Sequence, residues 1–187
     1  MMRTVFEKPD AIALVAEVFR ECGYEGASMS TITARTRLSK GSLYHFFPGG
    51  KEQMAAEVLA HIDAWFAREI FVPLETADPQ TAIAQMWTAV DQYFRSGKRI
   101  CLIGAFALDE TRDRFASPVR TYFERWIKAL EGALKRDGIP AGLAKQLAED
   151  AVAGIQGALV LARASADETV FERSLAGLRM RLSSPKR

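Results

Sequence analysis

The sequence predicts an all-α protein, and three observations carry that expectation. Apolar residues recur at helical spacing in one segment after another, beginning with Ile12, Val15, Ala16 and Phe19. Proline and glycine punctuate the segments: Pro9, Pro79, Pro118 and Pro140 stand at helix starts, and Gly23, Gly97 and Gly138 at helix stops. The stretch Ser28–Lys51, SMSTITARTRLSKGSLYHFFPGGK, reads as two short helices joined by a tight turn and followed by a glycine hinge.

The length of 187 residues allows one large domain, or a small domain with a larger one, and is enough chain to bury a core. The net charge of +2 says little about partners, but its distribution says more. From Gly26 to Lys51 the charged residues are Arg35, Arg37, Lys40 and Lys51, with no acid among them, whereas from Glu52 to the end Lys and Arg number 18 and Asp and Glu also 18. Positive charge gathered in one short segment suits a surface that faces phosphates. No apolar run approaches the roughly 20 residues that span a bilayer, and the stretch Ala151–Ala162 is interrupted by Gly154 and Gly157. The expectation is a soluble, cytoplasmic chain with no membrane association. Cys22 and Cys101 sit in helical contexts without a CxxC partner or a His at ligand spacing, which points to reduced thiols and to no metal site.

Taken in order, Met1–Lys8 is a loose arm carrying Arg3 and Lys8, and the first helix runs from Pro9 to Gly23. Ser28 caps the second helix, which ends near Thr36. Arg37 and Leu38 form the turn, and Ser39 caps a third helix over Lys40–Phe46 with Leu43 and Phe47 facing inward. Two helices of this length across so short a turn make a helix-turn-helix, whose second helix enters the major groove of a duplex while the first crosses the backbone. With Leu43 buried, Lys40, Gly41, Ser42, Tyr44 and His45 cover the groove-facing side. Gly41 permits close approach. Lys40 and Ser42 suit base edges or phosphates, Tyr44 a phosphate or a thymine methyl, and His45 a phosphate. Ser28, Arg35, Arg37 and Ser39 complete the candidate set on the backbone side. Lys51 joins it at the start of helix four, where its charge and the helix N-terminal amides suit one phosphate.

Helix four runs from Lys51 to about Ile70 with Met54, Val58, Ile62 and Trp65 or Phe66 inward, and Pro73 and Thr76–Pro79 end it. The next helix, Pro79–Ser96, carries Ile83, Met86, Trp87, Val90, Tyr93 and Phe94. After ICLIGAFALDETRDRF, with Asp109, Glu110, Arg112 and Asp113 as a charged surface, Ser117-Pro118 starts a helix reaching Asp137. The last two helices are Ala141–Ala166, rich in small residues, and Asp167–Leu182; Ser183–Arg187 is a tail.

The pattern of an amphipathic helix ending in Gly-Tyr, then S-x-x-x-I, then L-S-K-G-S-L-Y-x-x-F, then K-E-x-M, resembles the TetR family of transcriptional repressors over roughly residues 9–58. Its core, SKGSLYHFFPGGKEQM, is highly specific. The hinge Pro48-Gly49-Gly50-Lys51 and the segment Cys101-Leu-Ile-Gly104 look like the LmrA/YxaF-type branch. The resemblance implies an all-α homodimer of about nine helices. It implies a helix-turn-helix DNA-binding domain over residues 1–50 that binds an inverted-repeat operator, and a ligand-binding and dimerisation domain over 51–187 that takes a small-molecule effector. The last two helices then look like the dimer interface, and helix four the link that tilts the head. The chain departs from the family at Arg37, where a small residue is usual in the turn, at Thr31, where an acid is common, and at Phe46, where a His or Tyr contacts phosphate. The Phe46 contact is not carried over, and a non-glycine residue at Arg37 calls for an unusual backbone conformation.

In the body, Trp87, Phe94, Cys101, Phe106, Tyr122, Phe123, Trp126 and Gln156 are the candidates to line an apolar cavity among helices five to eight, suited to a planar apolar or phenolic effector. The two histidines, His45 and His61, lie on the reading helix and on helix four, and no HExxH, GxSxG, P-loop or dinucleotide motif occurs. The sequence therefore points away from an enzyme and names no cofactor. A helical protein-interaction scaffold is the alternative, and it leaves the acid-free basic head unaccounted for.

Overall fold

The computed structural model describes residues 7–109 and 113–183. Residues 1–6 of the N-terminal arm, with Arg3, the Glu110 and Arg112 members of the charged segment, and residues 184–187 of the tail lie outside the described residues, whereas Glu7 and Lys8 of the arm belong to the start of the first helix. The described chain is helical throughout, with nine helices: α1 Lys8–Gly26, α2 Met29–Thr36, α3 Lys40–Phe46, α4 Gly50–Phe66 continuing to Thr76, α5 Pro79–Phe94, α6 Leu102–Leu108, α7 Ala116–Arg136, α8 Ala141–Ser165 and α9 Thr169–Ser183. Among the described residues no helix is long and apolar enough to cross a membrane.

Local chemistry accounts for most helix ends. Glu7 and Asp10 form a capping box at the start of α1, with the Glu7 amide 3.0 Å from Asp10 Oδ2, and Pro9 occupies the first turn. Helical geometry in α1 breaks at Gly23, at φ 69° and ψ 173°. Asp78 caps α5 by accepting from the Thr81 amide at 3.0 Å. The hydrogen bonds from that amide and from the Thr81 hydroxyl hold the Asp78 carboxyl below its ordinary pKa. Asp167 does the same before α9, accepting from the side chain and amide of Thr169, which likewise lowers its pKa.

The fourth helix corrects one expectation. It does not stop near Ile70 but passes through a π turn, Ala67–Phe71, into a last α-helical turn, Val72–Thr76. The Val72 amide reaches back to the Ala67 carbonyl, and Pro73 follows. A proline inside an α-helix removes one amide donor and clashes with the carbonyl four residues back. The wider π turn just before Pro73 takes up that misfit, so the helix survives the residue expected to end it. Arg136 Nη2 then satisfies the Leu74 carbonyl at 2.5 Å near the helix end.

The chain forms two compact units. One comprises Met1–Asp63 with Leu102–Val119, the other Ala64–Cys101 with Arg120–Arg187. The core of the first gathers Val15, Phe19, Ile32, Leu38, Leu43, Phe47, Met54 and Val58, all at most 4% exposed. Phe106 and Phe115 join it: with Phe19 they surround Tyr24 at ring-centroid distances of 5.5–5.8 Å. The core of the second is aromatic. Phe66 lies 5.0 Å from Tyr122, 5.2 Å from Trp126 and 4.7 Å from Tyr93, and Phe71 lies 5.7 Å from Tyr122. Helices α8 and α9 form a hairpin within this unit. A Cβ placed on Gly154 would stand 2.9 Å from both Leu178 methyls, so the small residue sets how closely the two helices approach.

Candidate nucleic-acid interface

Two serines build the reading face. Ser28 Oγ accepts from the Thr31 amide at 3.1 Å at the start of α2, and Ser39 Oγ accepts from the Ser42 amide at 3.0 Å at the start of α3. The turn between them rests on Thr36, which is 3% exposed. Its hydroxyl donates to the Ile32 carbonyl at 2.7 Å and accepts from the Leu38 amide at 3.2 Å, so one side chain closes α2 and directs the chain into the turn. In the sequence Thr36 marks only the end of the second helix. The signal available was a threonine at a helix end, where its hydroxyl reaches back to the carbonyl four residues earlier.

Arg37 adopts φ 59° and ψ 14°, the left-handed conformation, and its amide donates to the Thr33 carbonyl at 3.0 Å. The unusual conformation expected of a non-glycine residue there is what the structure shows, at a cost of about 1–2 kcal/mol. Leu43 and Phe47 are fully buried, which leaves Lys40, Gly41, Tyr44 and His45 on the exposed side of α3. Tyr44 is 42% exposed, and the Lys40 ammonium stands 6.0 Å from its ring centroid. A Cβ on Gly41 would meet nothing within the chain closer than Ser39 Oγ at 3.8 Å. Nothing inside the protein demands glycine at that position. Ser42 is half-buried and shares a 2.8 Å contact with the capping Ser39 hydroxyl.

The expected cations divide into two kinds. Arg35 is ion-paired to Glu21 of α1. Lys51 points back into its own unit: Nζ donates to the Tyr24 carbonyl at 3.0 Å, stands 4.2 Å from the Tyr24 ring centroid and lies 3.7 Å from the Glu25 carboxylate. Arg37 and Lys40 have no carboxylate partner among the described residues. Arg114, from the segment that folds with this unit, donates to the Tyr24 hydroxyl at 3.3 Å, and that hydrogen bond raises its pKa further.

The candidates for an effector cavity are divided between the two units. Trp87, Phe94, Tyr122 and Trp126 are buried, Phe123 and Gln156 are half-buried, and all six belong to the second unit, as does Cys101, which is 8% exposed. Phe106 belongs to the first unit, 5.8 Å from Tyr24. Phe66 and Phe71 of α4 also belong to the aromatic cluster; helical spacing puts Phe66 on the inward stripe, whereas Phe71 lies beyond the helix end that Pro73 suggests. Among the described residues no cluster of His, Cys, Asp and Glu is arranged to hold a metal ion.

Comparison with known proteins agrees with this geometry. Residues 12–58 match the model of the bacterial regulatory proteins of the tetR family, and residues 79–175 match that of the transcriptional regulator LmrA/YxaF-like C-terminal domain. The chain is 28% identical over 173 residues to the uncharacterized HTH-type transcriptional regulator Rv0196 of Mycobacterium tuberculosis, covering 86% of each. It is 31% identical over 156 residues to the HTH-type transcriptional repressor DhaR of Mycobacterium sp. GP1, covering 77% of this chain and 76% of the relative. The crystal structure of a TetR transcriptional regulator from Legionella pneumophila superposes with a TM-score of 0.76 at 22% identity, covering 96% of this chain and 98% of the other. With a capped helix-turn-helix in its N-terminal match and a second match spanning the later helices, the chain belongs to the TetR family of bacterial transcriptional regulators, with a C-terminal domain of the LmrA/YxaF-like kind.

Proposed function

We propose that this regulator is a repressor that binds an inverted-repeat operator in double-stranded DNA as a homodimer, and that a small apolar or aromatic effector releases it. One observation carries the reading: the exposed side of α3 holds Lys40, Gly41, Tyr44 and His45 beside Arg37, which has no carboxylate partner among the described residues, in a stretch from Gly26 to Lys51 without an acid. Ser28, Ser39 and Ser42 order the same face. Arg35 and Lys51 are engaged within the protein and support the head more than they contact phosphate. By role, residues 1–50 are the reading domain and 51–187 the ligand-binding and dimerisation domain, acting in the reducing cytoplasm where Cys22 and Cys101 stay thiols.

A dimer follows from the size of the reading element. A recognition helix of seven residues supplies few base contacts, and two heads one helical turn apart double them. The outer face of the α8–α9 hairpin supports a second copy as the partner. The hairpin exposes Val160, Leu161 and Met180, and Leu161 lines a groove of about 400 Å³ with Gly154, Gly157, Ala158 and Gly177, edged by Ser174 and Arg181. A twofold interface needs ridge and groove on one face, since each copy offers both. The effector acts by population shift, favouring a dimer whose recognition helices are set too far apart for successive major grooves.

Selection of bound duplexes from a random pool, followed by salt titration on the selected site, tests this reading. Two heads each supplying Arg37 and Lys40 give a slope of log K against log salt of about −3.5 or steeper, with two chains per duplex. Recovery of no consensus, or binding indifferent to salt, would sink the reading.

A further inference from the structure

We propose that the effector carries a neutral hydrogen-bond acceptor, a carbonyl oxygen on an apolar ring skeleton, and that the Trp126 indole N–H binds it. This rests on the effector reading above and names the chemistry of that ligand.

Trp126 is fully buried, with Phe66, Tyr122 and Phe71 around it at 5.2, 5.9 and 6.5 Å between centroids. Its Nε1 has no acceptor among the described residues. A buried donor without a partner is costly and uncommon, and a tryptophan kept at the centre of an apolar core has phenylalanine as a ready substitute of similar kind. A second donor in the same unit is in the same position. Gln156 Nε2 is buried and without a partner among the described residues, and Gln156 is the one polar side chain in the stretch Ala151–Ala162. Both orphaned groups are donors, so the complementary ligand brings acceptors.

The charge of the ligand follows from its surroundings. Among the described residues the buried charged or polar ones are Arg20 and Thr36, and both lie in the first unit. Two guanidiniums approach the aromatic cluster: that of Arg99, 4.8 Å from the Tyr93 ring, donates to the Tyr93 carbonyl at 3.4 Å, and that of Arg125, 5.2 Å from the Phe71 ring, is held by Glu75 at 3.0 and 3.2 Å. Both are engaged there, over rings other than that of Trp126, so a carboxylate brought to the Trp126 N–H would have to draw a cation from its present acceptor, whereas a ketone, ester or quinone oxygen needs none. The rings meet edge-to-face or tilted, so a flat ligand replaces ring contacts with contacts of the same kind.

Matched probes separate the alternatives: tetralin, 1-tetralone and tetralin-1-carboxylate, with fluorene and 9-fluorenone as the larger pair. The full-length protein is labelled with nitrogen-15 at its tryptophan indoles, and the Trp126 resonance is assigned by elimination with Trp65→Phe and Trp87→Phe. The expected result is that one ketone at least binds roughly tenfold more tightly than its hydrocarbon and than the carboxylate, and moves the Trp126 N–H downfield. In Trp126→Phe the ketone and hydrocarbon then bind alike. Equal affinities in the unaltered protein, a shift confined to another indole, or no binding of any probe up to its solubility would each overturn the proposal. Operator binding by the same sample without probe is measured alongside. A protein that binds operator yet shows no acceptor preference loses this inference alone, and one that shows the preference without binding DNA loses the repressor reading.

Discussion

Lys51 stands over the ring of Tyr24, 4.2 Å from its centroid, and donates to the carbonyl of that same residue at 3.0 Å. The contact ties the first turn of α4 to the end of α1, the two elements that flank the helix-turn-helix. Lys51→Ala removes a hydrogen bond and a cation–π contact and is expected to cost about 1–2 kcal/mol of stability. Urea unfolding measures that loss. The slope of operator binding against salt stays the same in this variant, because an ammonium engaged with Tyr24 and Glu25 neutralises no phosphate.

Arg37 behaves oppositely. Its left-handed backbone is a strain that glycine relieves, so Arg37→Gly is expected to hold or raise stability, by at most about 1 kcal/mol. The same change removes an unpaired cation from the reading face and flattens the salt slope by about one unit per head. Stability and DNA affinity moving in opposite directions is the signature. A parallel loss of both would place Arg37 in the fold and not at the phosphate.

Tyr44 is 42% exposed, and the Lys40 ammonium, one turn before it, stands 6.0 Å from its ring centroid. Tyr44→Ala is expected to weaken operator binding by about 1–3 kcal/mol while leaving thermal unfolding within about 0.5 kcal/mol of the parent. Gel-shift titration and a melting curve on the same preparation check the pair.

Gly97 has φ 90°, and a Cβ built there stands 2.7 Å from Phe171 Cβ. Gly97→Ala combines a disfavoured backbone with a clash against an atom that every non-glycine residue at 171 possesses. The expected loss is about 2–4 kcal/mol in denaturant unfolding, and shortening Phe171 in the same chain does not recover it.

Glu57 accepts from Lys8 Nζ at 2.8 Å and from Gln53 Nε2 at 2.7 Å. Partial burial pushes its pKa up, but the two hydrogen bonds and the Lys8 charge outweigh this and leave it below the ordinary 4.5. The folded carboxyl thus binds its proton less readily than the unfolded one. Its contribution to stability is complete above about pH 4.5 and disappears as the pH falls through the lower folded value. Lys8→Met is expected to flatten the acid limb of the stability curve over that window and to leave its neutral region least changed in slope, as read from urea midpoints at several pH values.

The readable parts of this protein were those fixed by neighbours along the chain. Ser28 and Ser39 were legible as caps because a capping hydroxyl bonds an amide three residues on. Arg37 was legible as a strained turn residue through the family resemblance, which implies a small residue at that place in the turn. Trp87 and Phe94 of α5, and Tyr122 and Trp126 of α7, were legible as buried because they recur at helical spacing. The pairings of Arg35 and Lys51 were not, since their partners Glu21, Tyr24 and Glu25 lie on another helix, and a charge count cannot tell an engaged cation from a free one.

By itself, then, the sequence determined the helical class, the helix-turn-helix and its capping, because periodicity, caps and turn residues are properties of a few adjacent positions. Only the tertiary structure decided which cations stay unpaired on the reading face, that α4 continues through Pro73 by way of a π turn, and that Phe106 folds with Tyr24 in the first unit. Each of these depends on residues brought together across many positions of the chain, where the outcome is set by burial and by the competition of groups for partners. The sequence order of the segments carries no measure of either.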